Sequence, residues 1–236
     1  MTRRLLCMFL CLTLVFGLFA CDKEEPTPPP ANGPTPPSSN TVQPVLEHSG
    51  TLQDGAITWE IYSDGKMVVK GSGAIPDFEN AELDQPWWLY GDTKVYGDRN
   101  TAEDPIVLVT SIVIEKGITS LGKNAFADQD SVTTVTLPDT LTTLGEACFK
   151  DCKNLRTVKG GIGITAIRSD AFNYCTALES IELSGALTTV GWCAFDNLGG
   201  GTLTVRFDGT EAQWNAIAIA DGNTKFKEVK PSYAVQ

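Results

Sequence analysis

The 236-residue sequence has little of what reactive and nucleic-acid-binding proteins need. It holds one histidine, His48, too little for a Ser-His-Asp or Cys-His relay or a multi-histidine metal site. Basic residues number 18 against 29 acidic ones, a net charge of −11, so the basic footprint that neutralises phosphates is missing. No Gly-x-Ser-x-Gly elbow and no phosphate loop occurs. Asp98, Asn100, Glu103 and Asp104 offer oxygen ligands, but without the glycine and spacing of an EF-hand loop. A solvated acidic surface explains the many carboxylates better than a glycosidase pair does. The chain is therefore expected to be no enzyme, to hold no cofactor or metal and to bind no nucleic acid. It also lacks a long apolar run: Leu5 to Phe19 falls short of the ~20 residues of a membrane span.

What is there begins with an address. Arg3 and Arg4 followed by that apolar run read as a signal peptide over residues 1–20. Leu18-Phe19-Ala20-Cys21 resembles a bacterial lipobox, which implies acylation (palmitate included) of Cys21 as the first mature residue; Phe19 is bulkier than usual there. Asp22-Lys23-Glu24-Glu25 is similar to the acidic signal that sends some lipoproteins to the outer face of the outer membrane. Residues 26–44 hold eight of the thirteen prolines. Such a segment favours extended polyproline conformation, a semi-rigid spacer of ~3.1 Å per residue. Residues 21–44 therefore read as a lipid anchor and stalk, and the protein as exported and surface-displayed.

The rest of the chain is dominated by a 23-residue period. Phe126, Phe149, Phe172 and Phe195 keep it, as do Leu121, Leu144, Ile167 and Val190, and Ile118, Leu141, Ile164 and Leu187. Val109, Val132, Leu155 and Leu178, then Ile112, Val135, Val158 and Ile181, align upstream. Within a unit, Val132-x-x-Val135-x-Leu137 reads as a short strand, Pro138-Asp139 as a turn and Leu141-x-x-Leu144 as a second extended piece. Ala147-Cys148-Phe149 then begins a compact corner or helical turn. One unit cannot bury its own apolar side, so the units must stack as a solenoid.

Ile118-Thr-Ser-Leu-Gly-Lys-Asn-Ala-Phe126 and its counterparts ending at Phe149, Phe172 and Phe195 resemble the BspA-like leucine-rich repeat of bacterial surface proteins. Residues 50–90, through Gly71-Ser-Gly-Ala-Ile-Pro-Asp-Phe78 and Pro86-Trp87-Trp88, are similar to the module that often precedes such repeats. Gly209 to Ile217 is similar to the segment that often closes them. The resemblance implies an α/β leucine-rich-repeat solenoid of short strands and corner helical turns. The expected organisation is an N-terminal β-rich cap module at 45–108, repeats at 109–207 and a C-terminal cap at 208–236. In the module, Ile57–Tyr62 and Met67–Lys70 predict a hairpin across Asp64-Gly65, with Trp59 in the core. Glu211 to Ile219 reads as a short helix.

The sequence departs from the repeat pattern at three places. An insert, Gly91 to Pro105, precedes the first repeat; Lys159-Gly160-Gly161 replaces an apolar-proline pair and predicts a looser rung; Leu198 to Gly201 adds a residue. Once Cys7 and Cys11 leave with the signal and Cys21 carries lipid, four cysteines remain. Cys152 and Cys175 share a column in adjacent rungs, close enough at Cα for a bridge. Parallel side chains in register, however, hold Cβ atoms near the rung spacing, which favours buried free thiols for them, Cys148 and Cys193.

Two faces are candidates for binding. Outward strand residues Thr134, Thr136, Arg156, Lys159, Glu179, Glu182 and Arg206 form a ligand face passing from threonines through a basic rung to an acidic one. The resemblance implies a protein or matrix ligand there, an adhesion role and action as a monomer. A rival reading is glycan binding by Trp87, Trp88, Tyr90 and Tyr96; a second is a structural envelope component without a soluble ligand. Residues 45–110 carry twelve acidic and four basic side chains, so the negative charge belongs mainly to the N-terminal module.

Overall fold

The structure is a computed structural model that describes residues 43–90 and 107–233. Its first strands are β1 (Leu46–Leu52), β2 (Ile57–Tyr62) and β3 (Lys66–Gly71), joined antiparallel, with β2 and β3 forming the hairpin expected across Asp64-Gly65. A two-residue strand, β4 (Gly73–Ala74), and a one-turn helix, α1 (Ala81–Asp84), follow. The repeats then alternate between two sheets. One receives β5 (Ser111–Ile114), β7 (Thr134–Leu137), β9 (Thr157–Gly160), β11 (Ser180–Ser184) and β13 (Thr204–Asp208). The other receives β6 (Ile118–Leu121), β8 (Thr143–Leu144), β10 (Ala166–Ile167) and β12 (Thr189–Val190). The leucine-rich-repeat solenoid is thus the architecture of the described residues.

The long sheet has nine strands in the order β1-β2-β3-β5-β7-β9-β11-β13-β15, where β15 is Ser232–Tyr233. The short sheet has six, β14-β12-β10-β8-β6-β4, where β14 is Ala218–Ile219. Every repeat strand pairs parallel with its counterpart one turn away, because 23 residues return the chain to the same place. Strand alternation then sends one column inward: Met67, Ile112, Val135, Val158, Ile181 and Val205 are all buried and in register. Each such side chain contributes about 1.5–3 kcal/mol by leaving water.

The corner between the sheets is where the repeat phenylalanines go. Phe126, Phe149, Phe172 and Phe195 stack one on the next, with centroids 5.2–5.6 Å apart and planes within 15° of parallel. The corners are turns and contain no helix in the repeats, which corrects the expectation of corner helical turns. The reason is conformational: each corner reverses through two left-handed residues, at Asn124, Ala147, Asp170 and Cys193 and again at Asp128, Asp151, Tyr174 and Asn197. A left-handed residue interrupts a right-handed helix. Five of these eight are Asn or Asp, the side chains that tolerate the conformation best.

Corner amides point along the stack. Asn124, Phe126 and Asp128 donate their N–H groups to Glu146, Cys148 and Lys150 of the next rung. This leaves the first rung's carbonyls at Lys123, Ala125 and Ala127 without a preceding rung. They accept instead from Phe78 N, Trp87 Nε1 and Gln85 Nε2, at 2.9, 3.0 and 3.2 Å. At the far end, Phe195 N donates to the buried Asn223 Oδ1 at 2.9 Å, and Asn223 Nδ2 donates to Gly191, Ala220 and Asp221 carbonyls. The ring stack is also extended at both ends, by Trp87 on Phe126 and by Phe226 on Phe195.

The C-terminal segment differs from expectation. The helix α2 (Glu211–Asn215) opens with a capping box on Thr210 and stops at Asn215, and Ala218–Ile219 is a strand rather than its continuation. Ala218 N donates to Thr188 O, so the chain adds one more rung to the short sheet. A second short helix, α3 (Thr224–Lys227), delivers Phe226 to the stack.

Candidate ligand-binding faces

On the long sheet, the side chains opposite the core form two outward columns. Lys66, Ser111, Thr134, Thr157 and Ser180 are successive neighbours in one, with Thr204 beyond. Val68, Val113, Thr136 and Lys159 make the other, which resumes with Glu182 and Arg206. Thr134, Thr136, Lys159, Glu182 and Arg206 thus share the face expected of them, and Arg156 and Glu179 sit just before β9 and β11 along the same edge.

The charges on this face are largely paired along the stack. Arg156 Nη1 binds Glu179 Oε1, and Arg206 Nη1 binds Glu182 Oε1 at 2.6 Å. Exposed pairs of this kind contribute about 0–1 kcal/mol each, so their main effect is to cancel the basic and acidic rungs against one another. Glu182 Oε2 also accepts from Gly160 N at 2.7 Å, and the β9–β11 ladder ends at Val158–Ile181. Gly160 is held rather than loose: its φ is +78°, and a Cβ there would stand 2.3 Å from Leu137 O. Lys159 has no ion-pair or hydrogen-bond partner among the described residues, unlike Arg156, Glu179, Glu182 and Arg206.

At the N-terminal end of the same face, Lys70 Nζ lies 2.6 Å from Glu60 Oε1 and Tyr62 donates to Glu60 Oε2 at 2.7 Å. The hydrogen bond from Lys70, then that from Tyr62, holds the Glu60 carboxyl below the ordinary range. The same bond raises the Lys70 ammonium.

The proposed glycan aromatics fare differently. Trp87 is 0% exposed, donates its indole N–H to Ala125 O and stacks on Phe126, so it offers no face to a sugar. Its ring is needed to extend the phenylalanine stack, which corrects its assignment as a ligand platform. Trp88 is half-buried with its indole nitrogen enclosed, and Tyr90 is half-buried against His48 and Trp59. Tyr96, the insert and Cys21 lie outside the described residues.

Cys148, Cys152, Cys175 and Cys193 are free thiols, as expected. Cys152 Sγ donates to Phe126 O at 3.1 Å and Cys175 Sγ to Phe149 O at 3.0 Å, each serving a carbonyl of the rung before. Burial pushes the Cys148, Cys152 and Cys175 thiols well up, which leaves them neutral and unsuited to metal or nucleophilic chemistry. Among the described residues no group of three His, Cys, Asp or Glu side chains converges on a metal site.

The short sheet carries features the sequence did not single out. A shallow trough of about 660 Å³ runs across β10, β12 and β14, with Arg168, Ser169, Thr189 and Gly191 in its lining. Arg168 is shared with a second trough of about 610 Å³ that continues along β4, β6 and β8 beside Lys123 and Glu146. Trp192 follows Gly191 and is 58% exposed. The sequence held a signal here: the equivalent positions in the other rungs are Lys123, Glu146 and Ser169, so a tryptophan breaks a polar column.

Residues 106–216 match the BspA type Leucine rich repeat region family, in six copies. No curated protein matches the sequence. Among solved structures, the chain is similar to a leucine-rich repeat protein from Eubacterium ventriosum, at 22% identity over 75% of this chain and 45% of that one, with a TM-score of 0.49. It is similar to a leucine rich cell surface protein from Faecalibacterium prausnitzii at 18% identity, over 72% and 54% of the two chains, with a TM-score of 0.40. The Leucine Rich Repeat protein of T. pallidum matches at 15% identity over 78% and 84%, with a TM-score of 0.39. The chain spans about half the length of the first two. Residues 106–216 are thus a run of BspA-type leucine-rich repeats.

Proposed function

We propose that the protein is a lipid-anchored, surface-displayed solenoid that binds a protein or matrix ligand through the outer face of its long sheet. The run of BspA-type repeats supports a binding and adhesion role, by analogy between repeat proteins rather than from a defined site. The observation that carries the reading is the continuity of the nine-stranded sheet. It presents hydroxyls at Thr134, Thr157 and Ser180 in register, beside a strip holding Thr136 and the unpaired Lys159. Stacked sheets of this kind give extended surfaces for partners. Binding rather than catalysis fits the chemistry, because Glu60, Glu179 and Glu182 are each engaged by a base.

The lipobox-like Leu18-Phe19-Ala20-Cys21 and the proline-rich segment after it support anchoring and a stalk, and the acidic residues 22–25 support an outward-facing leaflet. Among the described residues, no helix is long and apolar enough to cross a membrane.

A photo-crosslinking residue at Lys159 tests the ligand face on intact cells. The reading expects a discrete protein adduct from position 159, lost in a Thr136→Arg background, and none from Thr119 of the short sheet. Equal adducts from both sheets would remove it. Anchoring is tested separately: Cys21→Ala should leave the membrane fraction, and retention after carbonate washing would count against it.

A further inference from the structure

The trough on the short sheet has a composition unlike the rest of this acidic chain. Arg168 is the one charged side chain in its lining. It is exposed and occupies a column otherwise held by Gly122, Gly145 and Gly191, which carry no side chains. The other described arginines, Arg156 and Arg206, each bind a glutamate across one rung. Arg168 has no such partner among the described residues. Asp77 and Glu146 line the adjoining trough that Arg168 shares, with no ion pair or hydrogen bond to it, and Asp221 on the C-terminal side lies 3.6 Å from Lys227 Nζ. An unpaired planar cation, in a trough across β10, β12 and β14 whose own lining holds no carboxylate, is matched to an anion that accepts two parallel hydrogen bonds.

Two further features narrow the anion. Ser169 and Thr189 line the trough with hydroxyls that make no hydrogen bond among the described residues. Trp192 stands beyond Ser169 in its column and exposes more than half of its surface. Its backbone is fixed, since Trp192 O accepts from Asp170 N at 2.9 Å and Cys193 N donates to Asp221 O at 3.0 Å. An exposed tryptophan next to Gly191 of the lining offers an apolar face for a ring and a polar edge. An extended acidic peptide is less well served. The trough floor already uses its backbone in rung-to-rung bonds, at Gly191 N to Ile167 O, Ala218 N to Thr188 O and Ala220 N to Val190 O.

We propose that this trough binds a carboxylate-bearing saccharide. Arg168 takes the carboxylate, Ser169 and Thr189 take ring hydroxyls and Trp192 takes the C–H face of a sugar ring. The site is on the opposite sheet from the proposed protein-binding face and stands or falls independently of it.

Titration calorimetry on the full-length protein in detergent tests it with trigalacturonate and its methyl ester, 3′-sialyllactose and lactose, and hexaglutamate. At least one acidic saccharide is expected to bind about tenfold or more tightly than its neutral twin, the loss expected for one charge-assisted contact. Arg168→Gln should erase that preference, and Trp192→Ala should weaken the acidic saccharide with the circular dichroism spectrum unchanged. Lys159→Glu, on the other sheet, should change nothing. No binding by either acidic saccharide, equal binding of acid and neutral twins, an unaffected Arg168→Gln variant or a preference for hexaglutamate would each overturn the proposal.

Discussion

Trp87 lies flat on Phe126, with ring centroids 5.1 Å apart and planes 18° from parallel, while its indole N–H donates to Ala125 O at 3.0 Å. One side chain from outside the repeats thus supplies both things a preceding rung would have given, a ring for the stack and a donor for an orphaned carbonyl.

The two roles separate by substitution. Trp87→Phe keeps a ring but leaves Ala125 O without its donor, an expected loss of about 1–3 kcal/mol. Trp87→Ala removes both and opens a cavity, for an expected loss of about 3–5 kcal/mol. Urea unfolding measures both: an unchanged Trp87→Phe variant would show that the hydrogen bond contributes nothing, and equal losses in the two variants would show that the ring contributes nothing.

Asn223 plays the corresponding part at the far end through its amide alone. Asn223→Ala strands Phe195 N and removes the donor to three carbonyls, and is expected to cost about 3 kcal/mol. Asn223→Asp keeps the acceptor but aims a carboxylate at those carbonyls. It should be at least as unstable at neutral pH and recover in part when protonated. A loss below about 0.5 kcal/mol in the alanine variant, the range of ordinary surface substitutions, would end this account.

Asp128 gives a pH dependence of defined sign. Burial first, and then the carboxylate of Asp151, raise its folded pKa above the ordinary value. The folded chain therefore keeps this proton longer than the unfolded one, and stability falls as pH rises from about 3.9 through the raised value. Asp128→Asn should stabilise the protein by about 0.5 kcal/mol at pH 7, where the charge is carried, and by nothing near pH 3. The left-handed conformation at this position accepts Asn, as Asn197 shows in the same column. Denaturation at the two pH values checks this, and an equal effect at both would refute the electrostatic cause.

Much of this was legible in one dimension. The 23-residue spacing of Phe126, Phe149, Phe172 and Phe195 requires a stack, because no unit can bury its own apolar side. Alternation along Val132-x-x-Val135-x-Leu137 shows which side faces in, and the Asp64-Gly65 turn marks the hairpin. Strand β1 was less legible, since its exposed side chains give no apolar alternation, and neither were the non-helical corners. Those depend on φ at Ala147 and Cys193, residues whose identity does not announce a left-handed backbone.

Candidate sites divided along the same line. Thr134, Thr136, Lys159, Glu182 and Arg206 could be assigned to one face because strand periodicity fixes sidedness without knowledge of neighbours. Trp87 could not be assigned, because a tryptophan beside an insert has the same composition whether it stacks on a sugar or on Phe126.

By itself, then, the sequence determined period, sidedness and the seam of phenylalanines, since these follow from local alternation and from repetition along the chain. Only the tertiary structure decided which aromatic is spent inside and which stands in water, and which charges cancel. It pairs Arg156 with Glu179 and leaves Arg168 open, a difference between rungs in contact that spacing alone does not carry.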